Sequence, residues 1–339
     1  MSGRTSSAAA VAGGVVVLGV LWSSPGLVAG QTPVASTRAR PSAEVPRTAD
    51  GKPDLHGVWS YGTLTPLERP DGVSGKAEFT EEEAEEFQAD ARVRRNQDRR
   101  DGAGTTADVS RAYNDFWWDF GRNVSGKQTS LVIDPADGRI PALTPDAATR
   151  VAARTEARSR RGTADDPEDR NLWERCVTRQ LPTLPGPYNN NIQIVQTKDH
   201  VVIVNEMIHE ARVIPVDGRP HGALPRWHGD SRGRWEGDTL VVETVNFTNK
   251  TNFRGSGERL RLVERYRRLD AGTLLYQVTI DDLATWTKPW TVQIPMASND
   301  EGFFEYACHE GNHGLQGIMK GARAEDKFAA EKVKTGTRP

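Results

Sequence analysis

Residues 260–281 read LRLVERYRRL, DAG, TLLYQVTID, and the fold turns on them. From Leu260 to Leu269 apolar and polar side chains alternate, Asp270-Ala271-Gly272 supplies a turn, and Thr273 to Asp281 alternates again. Period-two alternation on both sides of a short Gly-containing turn predicts an antiparallel hairpin with one buried face. The texture recurs on either side. Ile192 to Thr197 alternates, turns at Lys198-Asp199-His200 and returns as Val201 to Met207, followed by Ala211 to Val216. Trp235-Glu236-Gly237-Asp238 turns into Thr239 to Asn246, and Trp290 to Met296 and Phe303 to Cys308 complete the series. Strands in neighbouring hairpins, with little room between them for helices, predict a mainly β protein. The expected form is an antiparallel up-and-down β-barrel, with a β-sandwich as the alternative.

Upstream the pattern differs. Thr80 with Glu83 three residues on opens an acidic-then-basic run to about Arg100, a capping-box helix whose charge order suits its dipole. Ser130 to Asp134 is a short strand, and Thr144-Pro145-Asp146 opens a second helix to about Arg158. These make a helical insertion at about 78–160 within one domain spanning 54–326. Residues 31–53, rich in Pro, Ala, Ser and Thr, read as a disordered leader, and 327–339 as a polar tail.

Composition removes several classes. With 44 Lys+Arg against 46 Asp+Glu, the net charge of −2 argues against a nucleic-acid partner. Nine Trp, nine Phe and six Tyr exclude a wholly disordered chain. Arg4, the apolar run Val11 to Trp22, and the small-residue exit Val28-Ala29-Gly30 have the form of a signal peptide over residues 1–30. Cleavage near Gly30 predicts a periplasmic or secreted protein with no membrane span once mature. In such an oxidising compartment the two cysteines, Cys176 and Cys308, are expected to form a disulfide.

Gly57-Val58-Trp59 has the Gly-x-Trp form that opens lipocalin-like barrels, and Trp235 to Leu240 with the hairpins after it resembles the later half of that architecture. Residues 48–326 also resemble an uncharacterised family of exported proteins numerous in soil bacteria. The stretches that carry this are Thr48 to Leu55, Asn114 to Asp119, Pro187 to Asn191, Gly229 to Thr239 and Tyr306 to Asn312. That resemblance implies export and brings no activity with it.

Three constellations carry candidate chemistry. His309-Glu310-Gly311-Asn312-His313 fits the His-Glu-x-x-His zinc pattern, which needs a helix to put both imidazoles on one face. Here it follows an apolar, strand-like stretch, and a third ligand falls to Glu325 or Glu331. A second group is His209-Glu210, His221, His228 and Asp230, suited to acid–base work or a divalent metal, although their spacings of 12 and 7 match no fixed metal motif. The loop Arg219 to Trp235, rich in Gly, His, Arg and Trp, is the strongest candidate for lining a site. The third group is aromatic and polar. Tyr113, Trp117, Tyr188, Asn190, Trp227 and Trp286, with Glu305, have the inventory of a sugar or aromatic-ligand pocket.

No Gly-x-Ser-x-Gly elbow, Gly-rich phosphate loop or Cys-x-x-Cys is present, which disfavours serine hydrolases, nucleotide enzymes and haem carriers. The expectation is an exported small-molecule- or carbohydrate-modifying enzyme of lyase, isomerase or hydrolase type. Its acid–base groups are drawn from His209, His221, His228, Asp230, His309 and Glu310. A divalent metal held among His221, His228, His309 and His313 is the only cofactor considered. The alternative is a periplasmic lipocalin-like protein that binds a small or sugar-like ligand without catalysis.

Overall fold

The 260–281 hairpin lies in a ten-stranded antiparallel sheet. In chain order the strands are β1 (Gly57–Ser60), β2 (Val132–Asp134), β3 (Asn191–Gln196), β4 (His200–Asn205), β5 (Glu210–Pro215), β6 (Asp230–Glu236), β7 (Thr239–Val245), β8 (Arg261–Arg268), β9 (Thr273–Asp281) and β10 (Trp290–Ser298). They run β5-β4-β3-β1-β10-β9-β8-β7-β6, with β2 also on β10. The end strands β5 and β6 lie side by side without a ladder, so one sheet curls into a nearly closed barrel rather than a sandwich. The computed structural model describes residues 44–100, 104–105, 114–179, 181–251 and 253–335. The stretch expected to be a signal peptide and the expected leader up to residue 43 lie outside the described residues, as does Tyr113.

Alternation explains the interior. Leu262, Tyr266, Tyr276, Val278, Ile294 and Met296 are all fully buried, and their strand neighbours face outward. At ~1.5–3 kcal/mol for each large side chain taken from water, this wall is the main source of stability. Phe253, Trp286 and Trp290 close one part of the core, with ring centroids 5.6–6.4 Å apart. Trp59 donates from Nε1 to Leu55 O at 3.0 Å, and the Arg268 guanidinium lies over its ring at 5.1 Å. Pro295, which has no N–H to give, falls between the part of β10 paired with β2 and the part paired with β1.

Two strand expectations need correction. Asp230 to Glu236, read as loop, is β6, whereas Phe303 to Cys308, read as a strand, makes no ladder and enters a turn at Cys308. Phe304, 66% exposed, has no sheet face to bury into. The helical insertion contains α1 (Glu81–Arg95), with the Thr80–Glu83 capping box formed in both directions, and α2 (Pro145–Ser159), capped by Thr144. The polar C-terminal stretch belongs to a longer helix, α3 (His313–Thr335). Residues before Asp54, assigned to the leader, already close a turn: Asp54 N–H donates to Pro46 O at 2.8 Å, and Arg47 pairs with Asp238 at 2.7 Å.

Cys176 and Cys308 are bridged across 132 residues of sequence. Among the described residues no helix is long and apolar enough to cross a membrane.

Candidate functional site

The unladdered β5–β6 seam is where polar chemistry collects. β4 and β5 are joined by a turn in which Ile208 and His209 both take left-handed φ values, 65° and 57°, which starts β5 at Glu210. Along β5 the inward phase runs Arg212, Ile214, Val216. Gly233 of β6 packs against that phase, and a Cβ there would come within 2.6 Å of Val216 and 3.1 Å of Ile214. The strands are therefore joined here by side-chain contact. A cavity of about 340 Å³ opens beside the seam, lined by Arg212, Arg226, Trp227, His228, Asp230 and Ser231 among others.

Behind the cavity, inside the barrel, Arg212 reaches Glu264 of β8 with both terminal nitrogens, one of them at 3.0 Å. Tyr266 and Tyr276 donate to the same carboxylate oxygen at 2.9 and 3.1 Å. The two charged side chains are 7% and 0% exposed, so neither charge could stand without the other. Burial works against the Arg212 charge, but Glu264 more than offsets it and holds the guanidinium protonated. Burial first, and the Glu264 charge second, push both phenols well above their ordinary range.

At the cavity wall, His228 Nε2 meets Glu210 Oε1 and the Thr178 hydroxyl. Burial raises Glu210 to about 7, opposed by bonds from Thr178 and the Arg179 N–H and by the Arg212 charge. Burial and the Arg212 charge lower His228 to about 4. Between those limits Glu210 is protonated and His228 neutral, so the pair carries no net charge. With Nε2 committed to Glu210 and Thr178, Nδ1 is the ring nitrogen left for a bound molecule. Loss of the Glu210 proton near pH 7 leaves a carboxylate facing Nε2, which favours the imidazole hydrogen on Nε2 and leaves Nδ1 as acceptor.

Asp230 forms a second cluster. Its carboxylate accepts from Gly222 N–H at 2.9 Å and Arg232 Nη1 at 2.8 Å, and His221 Nδ1 lies 3.0 Å away. Burial opposes its charge, but these partners hold it below the usual carboxylate range. Arg232 Nε also donates to Pro220 O at 2.9 Å, so this group pins the long loop across the seam.

The sequence candidates thus separate. Glu210 with His228, and His221 with Asp230, form two pairs, and His228, Asp230 and Trp227 line the cavity. His209 is exposed, with its ring 6.2 Å from Phe303. His309 and Glu310 are exposed in a turn, and only His313 is helical, so the zinc pattern lacks its helix. This segment approaches the 209–230 group, with Phe303 beside His209 and Cys308 bridged to Cys176, two residues before Thr178, but among the described residues no hydrogen bond or ion pair joins His309 or Glu310 to that group. Among the described residues no group of three or more His, Cys, Asp or Glu is placed to hold a metal ion. Trp286 is a core residue, Trp117 is 61% exposed beside Phe116, and Glu305 is exposed. Tyr188 packs edge-on to Trp118. Buried Asn190 fastens loops, donating to Asp119 O and Gly186 O and accepting from Gly186 N–H. Arg212, Glu264, Tyr266 and Thr178 escaped sequence reading. The available signal was a Glu and an Arg in the inward phase of otherwise apolar alternation.

Compared with known proteins, the chain matches no family model, no curated sequence and no solved structure.

Proposed function

We propose that the protein is an exported small-molecule- or carbohydrate-modifying enzyme whose proton chemistry is carried by His228, with Glu210 as its partner, at the β5–β6 seam. One observation supports this above the rest: a buried carboxyl against a partly buried imidazole at the wall of a cavity of about 340 Å³, the size range of small-ligand pockets. Above pH 7 the Nδ1 lone pair takes a proton from a bound C–H or O–H, and the Glu210 carboxylate stabilises the imidazolium that forms. The reverse transfer returns the proton to the product. Trp227 supplies an apolar wall, and the exposed Arg226 guanidinium at the rim adds a cationic contact. Export is supported by the disulfide, which oxidising compartments sustain.

The test is a turnover screen of purified protein against sugar lactones, glycosides, and hydroxy and keto acids, followed by a pH profile on any compound consumed. The expected profile rises through pH 7, and the rate falls about 100-fold in His228→Gln and in Glu210→Gln. Saturable binding without turnover, lost in Trp227→Ala, would make the chain a ligand carrier instead.

A further inference from the structure

A second cavity, of about 710 Å³ and sharing no lining residue with the seam, lies between α2 and the loop at residues 253–259. The loop is pressed onto the helix at Gly255, where φ is +96° and a Cβ would sit 3.0 Å from Val151. Arg150 and Arg154, one turn apart on α2, line one side, and Ser256, Glu258 and Arg259 another. Arg150 is already oriented, donating from Nη2 to Ala284 O at 2.8 Å. Neither Arg154 nor Arg259 has an ion-pair partner among the described residues. Ser256 is 1% exposed, yet its hydroxyl makes no hydrogen bond. Buried polar groups are nearly always bonded, so an orphan hydroxyl at a cavity wall points to something outside the chain that completes it.

The remaining lining narrows the chemistry. Asp282 is already engaged, accepting from Ala284 N–H at 3.0 Å and the Thr285 hydroxyl at 2.7 Å. Asp146, Glu258 and Asn249 are left as hydrogen-bond partners. A bare inorganic anion would face two carboxylates and leave most of the volume empty. A neutral sugar would leave both guanidiniums without a counter-charge. We infer that this cavity binds an anionic sugar: its carboxylate or phosphate lies between Arg154 and Arg259, and its hydroxyls reach Ser256, Asn249, Asp146 and Glu258. Guanidinium forks suit such oxyanions, and carboxylate side chains accept from sugar hydroxyls.

Calorimetric titration of the folded chain with glucuronate, glucose 6-phosphate, glucose and inorganic phosphate tests this. Both anionic sugars should bind at least roughly tenfold tighter than glucose or inorganic phosphate. Arg154→Ala and Arg259→Ala, both at exposed positions, should each weaken them about tenfold, whereas Glu210→Gln should leave them unchanged. No heat with either anionic sugar would overturn the inference. So would equal binding of glucose, equal binding of phosphate, or indifference to both arginine replacements. A failed turnover screen at the seam bears on none of these outcomes.

Discussion

The barrel holds itself together differently on its two sides. β9 is registered to β8 and to β10 over eight residue pairs each, so backbone hydrogen bonds run the length of that wall, and the inward side chains can be plain hydrocarbon. β5 and β6 have no ladder between them. There, closure falls to Gly233 against Ile214 and Val216, to Arg212 reaching Glu264, and to Asp230 gripping the loop above. The lesson is one of substitution: where the backbone stops pairing, charged side chains take over, and with them come the cavity and the titratable pair. The closed wall carries the longer ladders, and the seam carries the paired ionisable groups.

The largest expected effect breaks the seam's central link. Glu264→Ala leaves the Arg212 charge and two tyrosine hydroxyls unmatched inside the barrel, and should lower unfolding free energy by about 3–5 kcal/mol in urea titration. A loss below about 1 kcal/mol would mean that the seam does not depend on the ion pair.

Next comes the pH dependence of stability. Glu210 is raised from 4.5 to about 7, so the folded chain holds its proton while the unfolded chain releases it, and stability falls as pH rises across that window. His228 is lowered from 6.5 to about 4, so the unfolded chain takes a proton first, and stability falls as pH drops across that window. The two slopes oppose one another between 4.5 and 6.5, and the parent protein should be nearly flat there in this respect. Glu210→Gln should expose the His228 slope and His228→Gln the Glu210 slope, each about 3 kcal/mol in full. Parallel slopes in the two variants, measured by denaturation at several pH values, would contradict the assignment.

The same contrast explains what could be read from the sequence. In β8 to β10 the alternation is clean because backbone pairing needs nothing more from the side chains than apolar and polar faces. β6, Asp230 to Glu236, hid because its buried positions hold Asp230, Ser231 and Gly233, the small or charged groups that a side-chain seam demands. Phe303 to Ala307 misled in the opposite way, with strand-like apolarity but no neighbour to pair with. The histidines were findable as a group, but not as the pairs they form. Glu210 meets His228, and His221 meets Asp230, only once the ring closes and the long loop folds back. Arg212 and Glu264 lie 52 residues apart, joined by a closure that no local pattern encodes.

Gly233→Ala tests the seam at its closest approach. The new methyl would meet a Val216 methyl at 2.6 Å and Ile214 at 3.1 Å, so Val216 must leave its rotamer or β5 must move, at a cost of about 1–3 kcal/mol. Thermal unfolding would register it, and an unchanged midpoint would mean that β5 and β6 have slack between them.

The smallest effect is a matched pair of threonine-to-valine changes. Thr279 and Thr291 join hydroxyls at 3.0 Å on the outer face of the laddered wall, and Thr279→Val should cost less than about 1 kcal/mol, because eight backbone pairs remain on each side. Thr178→Val removes a hydroxyl of the same size from the seam, where it bonds the Glu210 carboxylate and favours its ionised form. Its signature lies in titration: Glu210, followed by carbon-13 NMR of its carboxyl, should move above 7 when that bond is lost. A downward move would mean that water takes the place of the hydroxyl at the Glu210 carboxylate.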